Sequence, residues 1–366
     1  MGPEFLYAQP VRIRFGEGAF DRLGDVLAEL GVSRAVLVCG RHFAPRAEAL
    51  CAADPRCAAV FSEVEQNPRL SGVERTVRLA RETGADAVVG IGGGSAIDTA
   101  KFAAAVAPNA GEAVDYYRGE RAFDAKSRLV IVAVPTTAGT GSEVTQVSVV
   151  SHGAEKKTIN DPAFMPAAAI VDPRLSATVP PRTTMNTGLD ALAHALEGYW
   201  SVNHQPISDL MAAEAVRLVL ENLERAYRDG SDREARANMA YAALLGGLSF
   251  ALPKTAACHA CSYPLSELYR LPHGEACAFT LDSFVRLNAD ARLEALARKV
   301  GLRDTAELAG RIRALKALGG LRTRLSELGE VDVDALAAAC AVHPLMKNNP
   351  VRLDAAALKA MFETLR

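Results

Sequence analysis

Short apolar runs alternate with helical patterns through the first half of the chain. The segments between the runs, such as FDRLGDVLAELG and GVERTVRLARETG, carry apolar residues at helical spacing. This alternation predicts a parallel sheet covered by helices. Two β-rich runs within residues 147–159 flank His152-Gly153 and predict an antiparallel hairpin instead. The runs typical of buried strands end in turn residues and lie at 35–40, 58–64, 87–94, 128–137 and 167–172.

The pattern changes near residue 178, where the strand signals stop. The segments that follow, among them DLMAAEAVRLVLENLERAYRDG and EARANMAYAALLGGLSFAL, carry helical periodicity. Two prolines in ATVPPRT mark the change. We therefore expect an α/β domain with a parallel, Rossmann-like sheet over residues 6–177 and an all-α domain over residues 178–366.

Composition and charge narrow the class of protein. The 366 residues include 41 basic and 43 acidic side chains, a formal net charge of −2, so binding to nucleic acid or to a membrane surface is not indicated. No apolar stretch reaches the roughly 18 residues of a membrane span. The seven cysteines are odd in number and scattered, which favours reduced thiols in a cytoplasmic protein.

Two glycine-rich segments each follow a predicted strand. In GIGGGSAIDTAK (90–101), Gly92, Gly93 and Gly94 allow close approach of a ligand, and Ser95 can cap the following helix. The strict G-x-G-x-x-G pattern is not met, because Ser95 takes its last position. The second segment is PTTAGTGSE (135–143). Ligands of open α/β sheets bind at the carboxyl ends of strands, so two such loops favour a nucleotide, with ordinary turns as the alternative.

A candidate metal site comes from four residues of the second half. Asp190 and His194 stand four residues apart in the helical segment NTGLDALAHALEGYW and so share one face. His259 follows a helix-like segment, and His273 lies in the turn LPHGEA. Together they would give three nitrogens and one oxygen, which suit Fe(II), Zn(II) or Mn(II). For Asp190 and His194 alone, a solvated or hydrogen-bonded pair is the alternative.

The cysteines that bracket His259 are a competing signal. Cys258 and Cys261 have the close spacing of metal-binding cysteines, but a structural zinc site normally needs a second pair. Cys277 and Cys340 stand singly and supply none. We therefore interpret Cys258 and Cys261 as buried packing residues.

Four segments together resemble the iron-containing (group III) alcohol dehydrogenase family: GIGGGSAIDTAK, PTTAGTGSEVT, NTGLDALAHALEGYWS and LPHGEA. The resemblance covers nearly the whole chain. It implies a dehydroquinate synthase-like architecture, metal-dependent hydride transfer between NAD(P) and an alcohol or aldehyde, and a homodimer. The metal ligands it implies, to Fe(II) or Zn(II), are Asp190, His194, His259 and His273. The cofactor-binding residues expected are Arg41, Gly92, Gly93, Gly94, Ser95, Asp98, Thr136, Thr137, Thr140, Ser142 and Lys157.

Two positions depart from the family pattern. Many members carry a histidine four residues after the third ligand, where this chain has Tyr263. Tyr263 is therefore the candidate proton donor, with a pocket-lining role and a solvent proton as the alternative. NAD-preferring members often have an aspartate after the second strand, where VLVCGRHF places Gly40 and Arg41. Without an acidic residue there, NADPH is permitted alongside NADH.

Within the family, PKTAACHACSYPLS and MKNNP resemble the phosphonoacetaldehyde reductases of phosphonate biosynthesis. Lys254 and Lys347, with the amides of Asn348 and Asn349, could bind a phosphonate dianion; solvated surface lysines are the alternative. We therefore expect reduction of phosphonoacetaldehyde to 2-hydroxyethylphosphonate. The alternatives are a general short-chain alcohol, lactaldehyde or propanediol oxidoreductase, and a dehydroquinate-synthase-like cyclase without net redox change.

Overall fold

The five predicted strands lie in one parallel sheet. The computed structural model of the chain describes residues 4–153 and 155–366. Its strands are β1 (Arg12–Phe15), β2 (Ala35–Cys39), β3 (Cys57–Phe61), β4 (Ala87–Gly92), β5 (Val130–Pro135), β6 (Val147–His152), β7 (Glu155–Asn160) and β8 (Ala168–Val171). The sheet order is β1-β8-β5-β4-β2-β3 with every pairing parallel, and β6 and β7 form the predicted antiparallel hairpin. The edge strand β1 was not predicted, because its four residues are mostly exposed and carry little apolar signal.

The side chains of successive residues in the central strands lie alternately in two separate hydrophobic cores. Val36 and Val38 face a core with Phe102, whereas Leu37 and Val89 lie in the core on the other side of the sheet. Burial on both faces explains why these strands are continuous apolar runs rather than alternating ones. The helices of this region are α1 (Leu23–Glu29), α2 (Ala44–Ala53), α3 (Leu70–Thr83), α4 (Gly94–Val106) and α5 (Ala113–Arg118).

The second half of the chain is helical, as predicted. Its helices are α6 (Pro181–Trp200), α7 (Pro206–Arg228), α8 (Arg233–Phe250), α9 (Ala257–Tyr269), α10 (His273–Leu287), α11 (Ala291–Lys299), α12 (Thr305–Leu318), α13 (Val333–Ala341) and α14 (Ala355–Glu363). Helix α6 packs against α7, α8 and α10 and is buried along most of its length. Within the described residues, no helix combines the length and apolar character that a membrane crossing requires.

The chain divides into two units. The sheet unit comprises Ala8–Thr137 and Gly141–Ser176. The helical unit comprises Ala177–Arg366, together with Ala138–Thr140 and the N-terminal residues through Tyr7. The second glycine-rich segment therefore contributes three residues to the helical unit, although the rest of that segment belongs to the sheet unit.

Candidate metal centre and nucleotide loops

The two glycine-rich loops begin side by side. Strands β4 and β5 are neighbours, with Gly92 paired to Pro135 at their carboxyl ends. The backbone N–H of Thr136 donates to the carbonyl of Gly92 at 2.9 Å. Gly92 has a φ of 157°, and a Cβ there would lie 2.7 Å from the Cβ of Ala96. Since α4 starts two residues later, the loop presents backbone N–H groups of a helix N-terminus, which suits a phosphate.

The second loop packs on the helix that carries Asp190 and His194. Thr137 lies beside the first loop, with its Oγ1 3.2 Å from where a Cβ of Gly93 would be. Gly139 lies against α6, where an added Cβ would be 2.7 Å from the Cβ of Thr187. Only glycine fits this close approach of loop and helix.

Asp98 and Ser142 belong to a buried polar network. The ammonium of Lys101 is fully buried and donates to Ser142 Oγ at 2.7 Å and to the carbonyl of Val147 at 2.9 Å. Ser142 Oγ in turn donates to Asp98 Oδ1 at 2.7 Å, and the backbone N–H of Val149 donates to Asp98 Oδ2 at 3.0 Å. These bonds attach α4 to the segment after β5. Asp98 and Ser142 thus have partners within the sheet unit itself.

The remaining predicted cofactor residues occupy the sheet unit and the second loop. Arg41 is exposed in a short 3-10 helix directly after β2. Thr136, Thr137 and Thr140 are partly exposed in the second loop. Lys157 lies on β7 with its Nζ 4.7 Å from the centre of the Tyr117 ring.

One face of α6 carries a line of buried polar side chains at helical spacing. Asp190 and His194 lie on it as predicted, and Asn186 and Glu197 extend it by one turn at either end. The atoms Asn186 Oδ1, Asp190 Oδ1 and His194 Nδ1 are buried without a hydrogen-bond partner among the described residues. Because unpaired buried polar atoms are costly, this face fits a group that the chain itself does not supply.

The four predicted metal ligands converge; we call Asp190, His194, His259 and His273 the ligand cluster. The Nε2 atoms of His194 and His259 are 3.0 Å apart. Asp190 Oδ1 is 3.7 Å from His259 Nε2 and 3.8 Å from His273 Nε2. Asp190, His194 and His259 are buried, whereas a third of the His273 side chain is exposed. This donor set suits a divalent transition metal, and His273 marks its accessible side.

Both remaining histidines lie at helix starts. His259 is in the first turn of α9, and His273 is the first residue of α10 after Pro272. Gly274 allows α10 to start against α6, because a Cβ there would lie 2.1 Å from the carbonyl oxygen of Asn186. That close approach places His273 next to Asp190.

Glu197 orients His259 and is a residue that the sequence analysis missed. Its Oε2 contacts His259 Nδ1, and its Oε1 accepts hydrogen bonds from the backbone N–H groups of Ala256, Cys258 and His259 at 3.1, 2.7 and 3.3 Å. A carboxylate on Nδ1 leaves Nε2 free for a metal. The available signal was its spacing, seven residues after Asp190 and three after His194 on the same helix face.

The protonation of Asp190 and His194 agrees with metal binding, whereas His259 must lose a proton when a metal binds. Burial opposes a charge on His259, but the interactions with Cys277 and Glu197 outweigh it and raise the pKa of that ring. Burial lowers the pKa of His194 to about 4, so its ring is neutral at pH 7 and can donate a lone pair. Burial opposes the charge on Asp190, but the interactions with His194, His273 and His259 outweigh it and lower the pKa of that carboxyl. A neutral imidazole beside an ionised carboxylate is the state in which both groups coordinate metals.

The three cysteines of α9 and α10 differ in their relation to the ligand cluster. Cys277 Sγ lies with Asp190, His259 and His273, since one ligand atom from each falls within 4.8 Å of the others. Cys258 and Cys261 are fully buried and stand outside this group. The sequence analysis treated Cys277 only as an isolated thiol. The missed signal is its position four residues after His273, one turn along the same helix.

The predicted substrate residues fall in two segments around α9. Lys254 is half-buried with a φ of 68°, and its Nζ donates to the carbonyl of Ala251 at 2.8 Å. Burial lowers the pKa of this lysine. Lys347 is exposed in a short 3-10 helix. The ring of Tyr263 stacks on that of His343 at 4.6 Å and lies 6.3 Å from that of His273.

The side-chain amides of Asn348 and Asn349 bond to other groups of the protein. Asn348 Nδ2 donates to the carbonyl of Thr255 at 2.8 Å. The amides of Asn349 and Asn288 donate to each other, each at 2.9 Å, and Asn349 Nδ2 also donates to the carbonyl of Val351. Both donor hydrogens of Asn349 are therefore committed to the protein itself, which leaves this amide unable to bind a substrate anion.

The fold and the site together define a class of proteins. In this class, a parallel sheet with two glycine-rich loops is followed by a helical unit that carries a cluster of one carboxylate and three imidazoles. Comparison with known sequences identifies the family. Residues 10–173 match the family described as iron-containing alcohol dehydrogenase, and residues 184–365 match its C-terminal region. The chain belongs to the iron-containing alcohol dehydrogenase family.

Individual relatives agree with this assignment. The chain is 40% identical to long-chain-alcohol dehydrogenase 1 of Geobacillus thermodenitrificans over 66% of its own length and 62% of that protein's length. It is 34% identical to 1,3-propanediol dehydrogenase of Klebsiella pneumoniae over 90% of the chain and 86% of the relative. Among solved structures, sulfoacetaldehyde reductase from Bifidobacterium kashiwanohense in complex with NAD+ superposes with a TM-score of 0.95 at 40% identity, covering 100% of this chain and 99% of that one.

Proposed function

We propose that this protein reduces a small aldehyde to an alcohol, with a nicotinamide dinucleotide as hydride donor and a metal held by the ligand cluster. The observation that carries the proposal is the convergence of the three imidazoles of the ligand cluster on the carboxylate of Asp190, whose Oδ1 has no hydrogen-bond partner among the described residues. The balanced reaction is RCHO + NAD(P)H + H⁺ → RCH₂OH + NAD(P)⁺. The family match supports this redox reaction over the cyclase alternative.

Each part of the chain has a separate task in this proposal. When bound, the metal supplies a Lewis acid for the aldehyde oxygen and the nicotinamide supplies the hydride. Glu197 fixes the ring of His259, and Phe250 stacks on His194 with ring centres 4.3 Å apart. These contacts hold two ligands in place before metal arrives. Imidazole and carboxylate donors suit Fe(II) and Zn(II), and the family description favours iron.

The glycine loops are the proposed dinucleotide site. The backbone of Gly92, Gly93 and Gly94, with Ser95 in the first turn of α4, would hold the pyrophosphate. The cofactor of the sulfoacetaldehyde reductase structure is NAD+. Arg41, exposed directly after β2, is the residue that would bind the 2′-phosphate of NADPH. We therefore propose that both NADH and NADPH serve as hydride donors.

We infer that the substrate is a two-carbon aldehyde with an anionic head group, with phosphonoacetaldehyde as the leading candidate and 2-hydroxyethylphosphonate as its product. Sulfoacetaldehyde is the second candidate, favoured by the similarity to a sulfoacetaldehyde reductase over the whole chain. Phosphonate and sulfonate are both tetrahedral oxyanions that bind cationic donors. Lys254, half-buried five residues before His259, is the cationic donor of this proposal.

Initial rates on an aldehyde panel test this proposal. The metal-loaded protein is assayed with phosphonoacetaldehyde, sulfoacetaldehyde and the uncharged propionaldehyde, each with NADH and NADPH. We expect the highest kcat/KM for one of the two anionic aldehydes. A preference for propionaldehyde would support the reductase activity but contradict the anionic substrate. No oxidation of NADH or NADPH with any aldehyde, despite bound metal, would contradict the reductase itself.

A further inference from the structure

We infer that Cys277 is a ligand of the metal in addition to the four residues of the ligand cluster. The inference rests on the metal centre proposed above. Cys277 Sγ lies 3.8 Å from His273 Nε2, and it falls within 4.8 Å of the ligand atoms of Asp190 and His259. The second, independent observation is Asp190 Oδ1, which is buried without a hydrogen-bond partner among the described residues and lies in the same group.

Helix geometry brings this thiol to the centre. Cys277 follows His273 by four residues on α10, so both side chains lie on one face, one turn apart. Gly274 lets the same helix approach α6 at Asn186, with its Cβ position 3.3 Å from the Cβ of Asp190. The thiol is fully buried and lies near the ligand atoms of Asp190, His259 and His273.

The distances fit a shared ion. Five donor atoms about 2.0–2.3 Å from one five-coordinate metal lie roughly 2.8–4.6 Å from each other. The separations from His273 Nε2 to Cys277 Sγ and to Asp190 Oδ1, both 3.8 Å, fall within that range. A bound divalent cation deprotonates a coordinating thiol outright, so the thiol form of the free protein is no obstacle.

A sulfur ligand changes which metals the site prefers. Thiolate is a soft donor that favours zinc over manganese, whereas a site of imidazoles and one carboxylate accepts both more evenly. We therefore expect Cys277→Ala to lose more affinity for Zn(II) than for Mn(II). A merely structural role of Cys277 would weaken both metals alike.

Two other buried cysteines provide matched controls. Cys258 precedes His259 directly, and Cys261 follows it by two residues, yet both side chains lie outside the ligand group of the described structure. The surroundings of Cys258 include Thr280, and those of Cys261 include Cys340. Replacing either removes a buried thiol near the metal centre without removing the proposed ligand.

Zinc K-edge X-ray absorption of the zinc-loaded protein tests the inference without any activity assay. Wild type should show one sulfur at about 2.3 Å beside nitrogen and oxygen neighbours at about 2.0–2.2 Å. Cys277→Ala should lose the sulfur, and Cys258→Ala should keep it. If the Cys277 variant fails to fold, a sulfur neighbour that is present in wild type and kept in both Cys258→Ala and Cys261→Ala still assigns the ligand to Cys277.

The outcomes separate this inference from the proposed metal centre. A first shell of nitrogen and oxygen alone, with one zinc bound per chain, would overturn the Cys277 ligand and leave the metal centre standing. Failure of the wild type to bind zinc or iron would overturn both. A sulfur signal that disappears in Cys258→Ala but persists in Cys277→Ala would also overturn the assignment.

Discussion

Glu197 joins the side chain of His259 to the start of the helix that carries it. One carboxylate oxygen contacts the ring nitrogen Nδ1, and the other accepts three backbone N–H groups in the first turn of α9, the shortest at 2.7 Å from Cys258. The first N–H groups of a helix have no partners within the helix, so this carboxylate satisfies them while it orients the ligand. Ring orientation and helix position are therefore coupled through one side chain.

Replacing Glu197 with Gln should weaken metal binding more than folding. The amide keeps an oxygen for the backbone N–H groups but loses the charge that holds Nδ1–H of His259. Loss of such a partner typically lowers metal affinity about 10- to 100-fold. Competition with a chromophoric chelator measures this change, and thermal unfolding of the metal-free protein measures stability.

Glu224→Gln is the matched control, because Glu224 is exposed and pairs with Arg228 within α7. It should leave metal affinity unchanged. If Glu197→Gln binds metal with wild-type affinity, Glu197 serves only to cap the start of α9.

The Lys101 network should be a major source of stability in the sheet unit. Lys101→Met leaves Ser142 Oγ and the carbonyl of Val147 without their charged donor. Hydrogen bonds to charged groups contribute about 1.5–3 kcal/mol each, so we expect a loss of roughly 3 kcal/mol in the free energy of unfolding. Urea unfolding measures it, and Lys126→Met at an exposed site should cost almost nothing.

The same lysine predicts a pH effect with a definite sign. Burial lowers the pKa of Lys101 from 10.5 to about 8. Between these values the unfolded chain binds more protons than the folded one, so this group makes the unfolding free energy rise with pH. The free energy of unfolding of wild type minus that of Lys101→Met should therefore grow between pH 8 and 10.5. A difference independent of pH would show that Lys101 titrates normally in the fold.

Gly40→Asp should shift the cofactor preference toward NADH. Gly40 follows β2 with φ −84°, a conformation open to any residue, and its added Cβ would meet only the carbonyl oxygen of Val64 at 3.9 Å. A carboxylate there can accept from the ribose 2′-OH and repels a 2′-phosphate. The ratio of kcat/KM for NADH over NADPH should rise at least tenfold. Gly40→Asn, without the charge, separates repulsion from hydrogen bonding, and an unchanged ratio in both would place cofactor selection elsewhere.

Lys254 should matter for anionic aldehydes and little for neutral ones. Lys254→Met keeps the side-chain length and removes the charge. The loss of a charge-assisted hydrogen bond, about 1.5–3 kcal/mol, lowers kcat/KM for phosphonoacetaldehyde roughly 10- to 150-fold. Propionaldehyde should change less than threefold. Lys347→Met, at the exposed candidate, tests the second predicted contact. Equal losses of kcat/KM on charged and neutral aldehydes in both variants would show that neither lysine binds the anionic group.

Tyr263→Phe should distinguish a tyrosine proton donor from solvent. The phenyl ring keeps the stacking on His343 and removes only the hydroxyl. If the hydroxyl protonates the alkoxide, the reduction rate should fall about 10²- to 10⁴-fold with little change in KM. Single-turnover oxidation of NADH measures the step directly. A wild-type rate would assign the proton to solvent and leave Tyr263 as a pocket wall.

Local patterns were enough to identify the parts of the site that lie within one element. Asp190 and His194 share a face because an α-helix repeats every 3.6 residues, and the glycine loops follow strands whose apolar runs are unmistakable. Glu197 was on the same face, but its spacing was a weak signal, since a glutamate in a helix is usually solvated. Its burial and its contact with His259 depend on α9, which begins 60 residues later in the chain.

Sequence by itself therefore determined most of the strand and helix pattern, the two glycine-rich loops, the family and the four candidate ligands. Tertiary structure decided which atoms meet. It placed Cys277 beside His273 and Asp190, and it directed Asp98 and Ser142 to the buried ammonium of Lys101. It also committed the amide of Asn349 to Asn288. The physical reason is that periodicity and turn chemistry act over a few neighbouring residues, whereas the partner of a buried polar group is set by the packing of elements distant in sequence.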